Sequence, residues 1–273
     1  MVGREPATVL QEGLKKKLQT AWLGNNIYGK DCIPSTNELA KKLAEEGAAE
    51  GTLVITDLQT SGKGTQGKIW ESPAGKGLLF SFILRPPIPS YRLPQITLLT
   101  AVVLADIIEE KIFLKTKIKW PNDIYIRDKK VAGILTEASS LGNEIKYVIV
   151  GIGINVNTTM DELNGKILQP FTSLFEEKNE LIDRYSLLAS FLGEYEKEYE
   201  VFCEEGFFDI RERWLQKACG IQEKVLLEDN KKTKPVTILG IDQYGALLVR
   251  TEEGLEERYL SGQVHISKSL PQR

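Results

Sequence analysis

The chain has 273 residues, 42% hydrophobic and 27% charged, with 35 basic side chains against 38 acidic ones and a net charge of −3. These values suit one large folded domain or a medium domain with a small companion. They exclude a disordered chain, a disulfide-stapled miniprotein and the basic surplus of a protein that lives on nucleic acid. A single histidine, His265, and three scattered cysteines, Cys32, Cys203 and Cys219, argue against a Ser-His-Asp or Cys-His mechanism and against a zinc site.

The N-terminal stretch lacks the apolar core of a secretory signal. The longest apolar run, Ile96 to Ile108, is broken by Thr97, Thr100 and Asp106 and does not read as a membrane span. A cytoplasmic protein with no membrane contact is the expectation. Leu10, Leu14, Leu18 and Trp22 repeat at helical spacing and predict one amphipathic helix over Leu10 to Trp22. A Gly/Asn-rich turn follows. Ser35 and Glu38 fit a capping box, so a helix should start there and end near Gly47. Thr52 to Thr56 reads as a strand, Leu78 to Leu84 as a fully apolar one, and Leu93 to Lys111, apolar nearly all round, as a buried helix. Lys117 to Trp120, Ile124 to Arg127, Val131 to Glu137 and Ile145 to Ile154 follow as strands. Two helices are expected over Asp183 to Gly206 and Phe207 to Ala218.

Past Gly220, short strands at roughly ten-residue spacing, punctuated by Gly240, Gly245, Gly254 and Gly262, predict a small β-barrel or sandwich. The fold class is therefore α+β, a mixed β-sheet with helices on one side. The expected division is a helical segment over 1–26, a main domain over 27–220 and the small β domain over 221–273.

Between Gln59 and Trp70 lies a glycine-rich stretch. Gly62-x-Gly64-x-x-Gly67 matches the dinucleotide fingerprint on paper, and Gly62-x4-Gly67-Lys68 nearly matches the P-loop. Pro73 and the lack of a helical period exclude the helix both need, and Ile69 stands where a P-loop requires a hydroxyl. A hairpin turn is the plain reading. The chemical reading is a phosphate-handling loop, in which glycines let backbone N–H groups approach an anion, Lys63 and Lys68 add charge, and Trp70 offers a flat surface to a purine. Three more segments are chemically dense: Lys119-Trp120-Pro121-Asn122-Asp123, Lys130 to Glu137, and Gly151-Ile152-Gly153-Ile154-Asn155-Val156-Asn157. Singly they also read as a solvated lysine, a core tryptophan, a turn and packing glycines.

In this order, with Ser35-Thr36-Asn37 before them, the motifs resemble the biotin–protein ligases of the biotin/lipoate ligase superfamily, over roughly residues 10 to 268. The resemblance implies a mixed sheet flanked by helices with an SH3-like C-terminal β-barrel. It implies an enzyme that makes an acyl-adenylate from biotin and ATP with Mg²⁺, then passes biotin to a lysine of a carrier domain of acetyl-CoA carboxylase or a related carboxylase. It implies that Ser35, Thr36, Asn37 and Gln59 bind the biotin head group, and that Lys63, Gly64 and Thr65 belong to a loop folding over biotin and adenylate. Lys130 should meet the acyl-phosphate end and Lys119 the phosphate oxygens, the two acting as catalytic groups. Gly62, Lys68, Trp70, Asn122 and Asn155 should line the nucleotide, with Trp70 against adenine, and Asp123 should bind Mg²⁺.

Some members carry an N-terminal helix-turn-helix and repress transcription. Only 34 residues precede Ser35, with one readable helix, so a ligase without DNA binding is expected. A sheet edge near Ile145 to Ile154 could pair with a second protomer or the carrier. The family loop reads G-R-G-R-x-G-R-x-W. Here two of its arginines are lysines, Lys63 and Lys68, and one is Thr65. Arginine forks onto phosphate, lysine is a point charge and threonine is neutral, so weaker retention of the adenylate is expected. Another acid such as lipoate, or a sensor that no longer turns over, are the alternatives.

Overall fold

Two β-sheets organise the chain, which the computed structural model describes over residues 9–163, 170–229 and 232–265. The elements run α1 (Val9–Lys15), β1 (Ile27–Ile33), α2 (Thr36–Glu45), β2 (Leu53–Gln59), β3 (Leu78–Leu84), α3 (Leu93–Ile112), β4 (Lys117–Lys119), β5 (Asp123–Ile126), β6 (Lys129–Leu141) and β7 (Glu144–Ile154). There follow α4 (Met160–Leu163), α5 (Leu174–Lys178), α6 (Arg184–Glu205), α7 (Phe208–Lys217), β8 (Lys224–Asp229), β9 (Lys232–Ile241), β10 (Leu247–Thr251), β11 (Glu256–Tyr259) and β12 (Gln263–His265).

The first sheet has the order β1-β2-β3-β7-β6-β5-β4. Only β1 and β2 run parallel; the other neighbours are antiparallel. β3 is buried on both faces, and its alternation sorts the core. Leu78, Phe80, Phe82 and Leu84 join the large cluster with α3 and α6, while Ile83 joins a smaller one with Ala40 and Ala44 of α2 and Ile149 of β7. Helices therefore cover both faces, not one. A strand apolar on both sides needs a lid on each, and the small residues of α2 let it lie close.

A window of the helix Ser90–Ile112 reaches a mean hydropathy of 1.4, enough by length and composition to cross a membrane. In the fold 67% of it is buried inside the protein, where α3 packs on α6, α7 and β6.

The predicted first helix runs short. α1 ends at Lys15 because the N–H groups of Ala21, Trp22 and Leu23 go to the Glu196 carboxylate of α6, at 2.6, 2.9 and 2.7 Å, and cannot serve a helix. The segment read as a turn before Ser35 contains β1. Nor is the stretch Ile145 to Ile154 a sheet edge: β7 lies between β3 and β6, and Arg85 donates to the Lys146 carbonyl at 2.7 Å where β3 stops. The edges are β1 and β4.

The C-terminal unit is a five-stranded antiparallel sheet, β11-β10-β9-β8-β12, in which the ten-residue β9 pairs on both sides. It is fastened to the first unit by hydrogen bonds from Trp120 Nε1 to the Gly245 carbonyl (3.3 Å), Gln95 Nε2 to the Gln243 carbonyl (2.8 Å) and Arg211 Nε to the Ile241 carbonyl (3.0 Å).

Candidate active site

The N-terminus of α2, the end of β2, the glycine loop and the middles of β6 and β7 meet around a cleft. Ser35, Thr36, Asn37, Gln59, Lys63, Gly64, Thr65, Trp70, Asn122 and Lys130 all line it. Residues scattered over nearly a hundred positions converge because their motifs sit at strand ends and strand centres on one face of the sheet. Gly133, Ile134, Leu135, Gly151, Ile152 and Gly153 complete the lining.

Ser35 occupies the N-cap position of α2 with an extended backbone, yet its side chain caps nothing, and it is 3% exposed. The expected capping box does not form. Glu38 pairs with Lys63 of the glycine loop instead, an ionised partner stronger than a backbone N–H. The bond to Lys63 holds the Glu38 carboxyl below its ordinary value and pushes the Lys63 ammonium above its own. Gln59 Oε1 accepts from the Thr36 N–H at 2.7 Å. Asn37 donates Nδ2 to Glu137 Oε2 (2.7 Å) and to the Leu135 carbonyl (3.2 Å), and Ser81 Oγ lies 2.6 Å from Asn37 Oδ1 and 2.7 Å from Thr36 Oγ1.

The strand glycines are there for clearance. A Cβ on Gly151 would fall 1.8 Å from Asn37 Oδ1, and one on Gly153 would fall 2.4 Å from the Trp70 ring. Gly151→Ala must displace Asn37 and break its bonds to Leu135, Glu137 and Ser81 beside Thr36, so we expect acid binding to weaken by about 10-fold or more, with the fold retained. Calorimetric titration with biotin reads this; unchanged affinity would remove Asn37 from the site.

At the other end of the cleft three charges gather. Lys130 Nζ lies 2.6 Å from Asp123 Oδ1, Lys119 Nζ lies 4.0 Å from Asp123 Oδ2, and all three side chains are under 20% exposed, at 14, 17 and 13% for Lys130, Lys119 and Asp123. The main chain of Lys130 is pinned by Pro170 and Thr172 (3.1 and 2.9 Å), and its ammonium stands 5.5 Å from the Trp70 ring centroid. Lys119 donates to the Tyr125 hydroxyl at 2.9 Å. Burial, with the charge of Asp123 added, pushes that hydroxyl well above its ordinary value, so its oxygen stays a neutral acceptor. Asn122 anchors its turn by donating to the Ile134 carbonyl at 2.6 Å.

Five expected residues stand outside the cleft lining. Lys68 reaches away to Gln263 of β12 (2.7 Å). Gly62 sits against the Trp70 carbonyl, where any Cβ would clash at 2.4 Å. Asn155 donates to the Thr172 carbonyl at 3.0 Å, and its buried Oδ1, like the buried Nε1 of Trp70, has no partner among the described residues. Lys119 and Asp123 lie one layer behind Lys130. Asp123, matched by two ammonium groups, offers no free anionic ligand, and among the described residues no three His, Cys, Asp or Glu side chains gather for a metal. The donor set does not fit Mg²⁺ held by the protein. The glycine stretch is a closed hairpin, with Trp70 N–H on the Gly62 carbonyl (3.0 Å) and Gly64 N–H on that of Lys68 (2.7 Å).

Comparison with known proteins places this architecture. The model of the biotin/lipoate A/B protein ligase family matches residues 29–155, and that of the biotin protein ligase C-terminal domain matches residues 220–266. The chain is 38% identical over 256 residues to the bifunctional ligase/repressor BirA of Bacillus subtilis, covering 94% of this chain and 79% of that one. It is 31% identical over 228 residues to the biotin--[acetyl-CoA-carboxylase] ligase of Paracoccus denitrificans, covering 81 and 92%. The structure of the biotin protein ligase from Aquifex aeolicus in complex with biotin and ATP superposes with a TM-score of 0.76 at 31% identity, over 90% of this chain and 100% of that one. Fold, cleft and relatives define the class as ATP-dependent ligases. The chain belongs to the biotin/lipoate A/B protein ligase family, among the biotin protein ligases.

Proposed function

We propose that this chain activates biotin with ATP and transfers it to one lysine of a carrier domain of acetyl-CoA carboxylase or a related carboxylase, in the cytoplasm. The biotin carboxylate attacks the α-phosphate of ATP and pyrophosphate leaves. The carrier amine then attacks the acyl carbon and AMP leaves. Neither step needs an enzyme nucleophile, so the task of the site is to position and to stabilise charge. Ser35, Thr36 and Gln59 take the head group, the hairpin covers the ligand, and Lys130 meets the charge that develops between acid and phosphate. Mg²⁺ arrives on the nucleotide.

The observation that carries the reading is the pairing of Lys130 and Lys119 on one sequestered carboxylate at the end of a polar head-group pocket. Mass spectrometry of a purified carrier domain, after incubation with this protein, ATP, Mg²⁺ and biotin, should show a shift of one biotin. Biotin binding without that shift would make the chain a sensor, and a shift with lipoate alone would reassign the acid.

The loop chemistry supports a second expectation. Lys63 is engaged by Glu38 and Lys68 by Gln263, and Thr65 is neutral, so no free guanidinium clamps the adenylate. The activated acid should escape and label lysines of an unrelated protein in the same incubation. Good carrier labelling with no bystander labelling rejects this.

The ligase is read as not binding DNA. Of the lysines at 15 to 17, Lys17 is held by Asp183 at 2.9 Å rather than presented to phosphate. A sequence-specific mobility shift of duplex DNA with biotin and ATP present would overturn that. Self-pairing into a homodimer has β1 as the available edge, because Ile118 of β4 is already paired with Ala218 and Cys219, and sedimentation reads it.

A further inference from the structure

The charges of the cleft are unequal from end to end. Around Lys130 two ammonium groups share one sequestered carboxylate, Asp123, and leave a positive excess where acid and phosphate meet. At the hairpin the count is reversed. Lys63 is paired with Glu38 of α2, and the Glu137 carboxylate of β6 acts on the same ammonium. Of the two hairpin cations, Lys63 and Lys68, only Lys63 lines the cleft, since Lys68 is turned to Gln263. Glu38 lies outside the lining, with its side chain 48% exposed, and draws on Lys63 from there. Nor does Glu38 complete the end of α2, where no capping box forms. An ammonium has three N–H groups and can hold a phosphate beside a carboxylate. The Glu38–Lys63 pair has no net charge to offer one, however, and a phosphate drawn to it also meets Glu137.

We propose that Glu38 is a positioning residue that sets how long the acyl-adenylate stays in the cleft: by holding the Lys63 ammonium it withdraws the hairpin's cleft-lining charge from the phosphate and hastens release. This rests on the biotin reading above and deepens it, because the leak then depends on an acidic residue of α2 and not on the hairpin sequence alone. Glu38→Gln keeps the size and removes the charge. The Lys63 ammonium is then free to turn to the adenylate, and the hairpin holds what it covers.

The test is the release rate of radiolabelled biotinyl-adenylate, formed on the protein from biotin, Mg²⁺ and labelled ATP and then chased with unlabelled biotin and ATP. Glu38→Gln should release it about fivefold more slowly than wild type, the scale of one half-exposed ion pair, and should label a bystander protein correspondingly less. Release as fast as wild type overturns the proposal. So does faster release, which would mean that the pair serves to fasten the hairpin down. The Lys63→Met background shows whether Glu38 acts through Lys63. There Glu38→Gln should leave the rate unchanged, and the same slowing in that background overturns the proposal in favour of a general effect of charge. Adenylate that forms but leaves at a rate blind to Glu38 sinks this inference alone. Wild type that releases no pyrophosphate with biotin and ATP sinks the biotin reading and this with it.

Discussion

Lys130→Ala should lower biotin-dependent exchange of pyrophosphate into ATP by about 10³-fold, the scale of losing a buried charged donor aimed at developing negative charge. Among the described residues Lys130 is the one ammonium that both lines the cleft and is held by a sequestered carboxylate, at 2.6 Å from Asp123. Its main chain is fixed on both sides, by Pro170 and Thr172, so the group is placed before substrate arrives. Biotin affinity should fall far less, since Thr36 and Gln59 sit at the other end. Asp123→Asn should reproduce part of the rate loss by freeing Lys130 to wander. An exchange rate within about tenfold of wild type for Lys130→Ala would show that another group carries the charge.

The second large effect is on stability. Glu196, 7% exposed, accepts three successive backbone N–H groups across about 175 residues of chain. Glu196→Ala leaves three backbone donors without an acceptor, that of Leu23 buried, and we expect a loss of about 3 kcal/mol. For a chain of this size that lowers the melting temperature by roughly 10 °C. Glu196→Gln keeps one acceptor oxygen and should lose about half as much. Scanning calorimetry reads both, and a melting point shared by Glu196→Ala and wild type would mean that packing and the other polar ties, such as Lys17 to Asp183 and Trp22 to Glu200, hold the N-terminal segment.

Much of this was legible in the sequence wherever local pattern and tertiary demand agree. β3, with seven apolar or small residues in a row, falls where the run predicts it, and α3 is buried over most of its length as its apolarity requires. β1 was hidden because an edge strand tolerates a polar run such as Lys30 and Asp31 after Gly29, and that run reads as a turn. α1 was overextended because the acceptor that ends it, Glu196, lies far along the chain. β12, three residues long, has too short a pattern to read.

The site divides along the same line. Its motifs announced the lining, since each is a local run, and the glycines of β7 were visible as small residues in a strand. The partners were not. Nothing local tells Glu38 to prefer Lys63 over its own helix end. Ser81 left one faint mark, a lone hydroxyl in an otherwise apolar strand, whose meaning depends on α2 lying across it.

The patch where Gly133 pairs with Gly153, beside Gly151 opposite Leu135, carries the Asn37 amide and the Trp70 ring directly on its peptide planes, and this has a mechanical consequence. Those two side chains lie on a floor locked by its ladder, with no side chain beneath them to rearrange. On warming, the hairpin carrying Lys63 and Thr65, held by a few exposed contacts, should loosen many degrees before that floor changes shape. Heat should therefore unclasp the catch of this enzyme while its mould stays true, and catalysis should fade ahead of recognition.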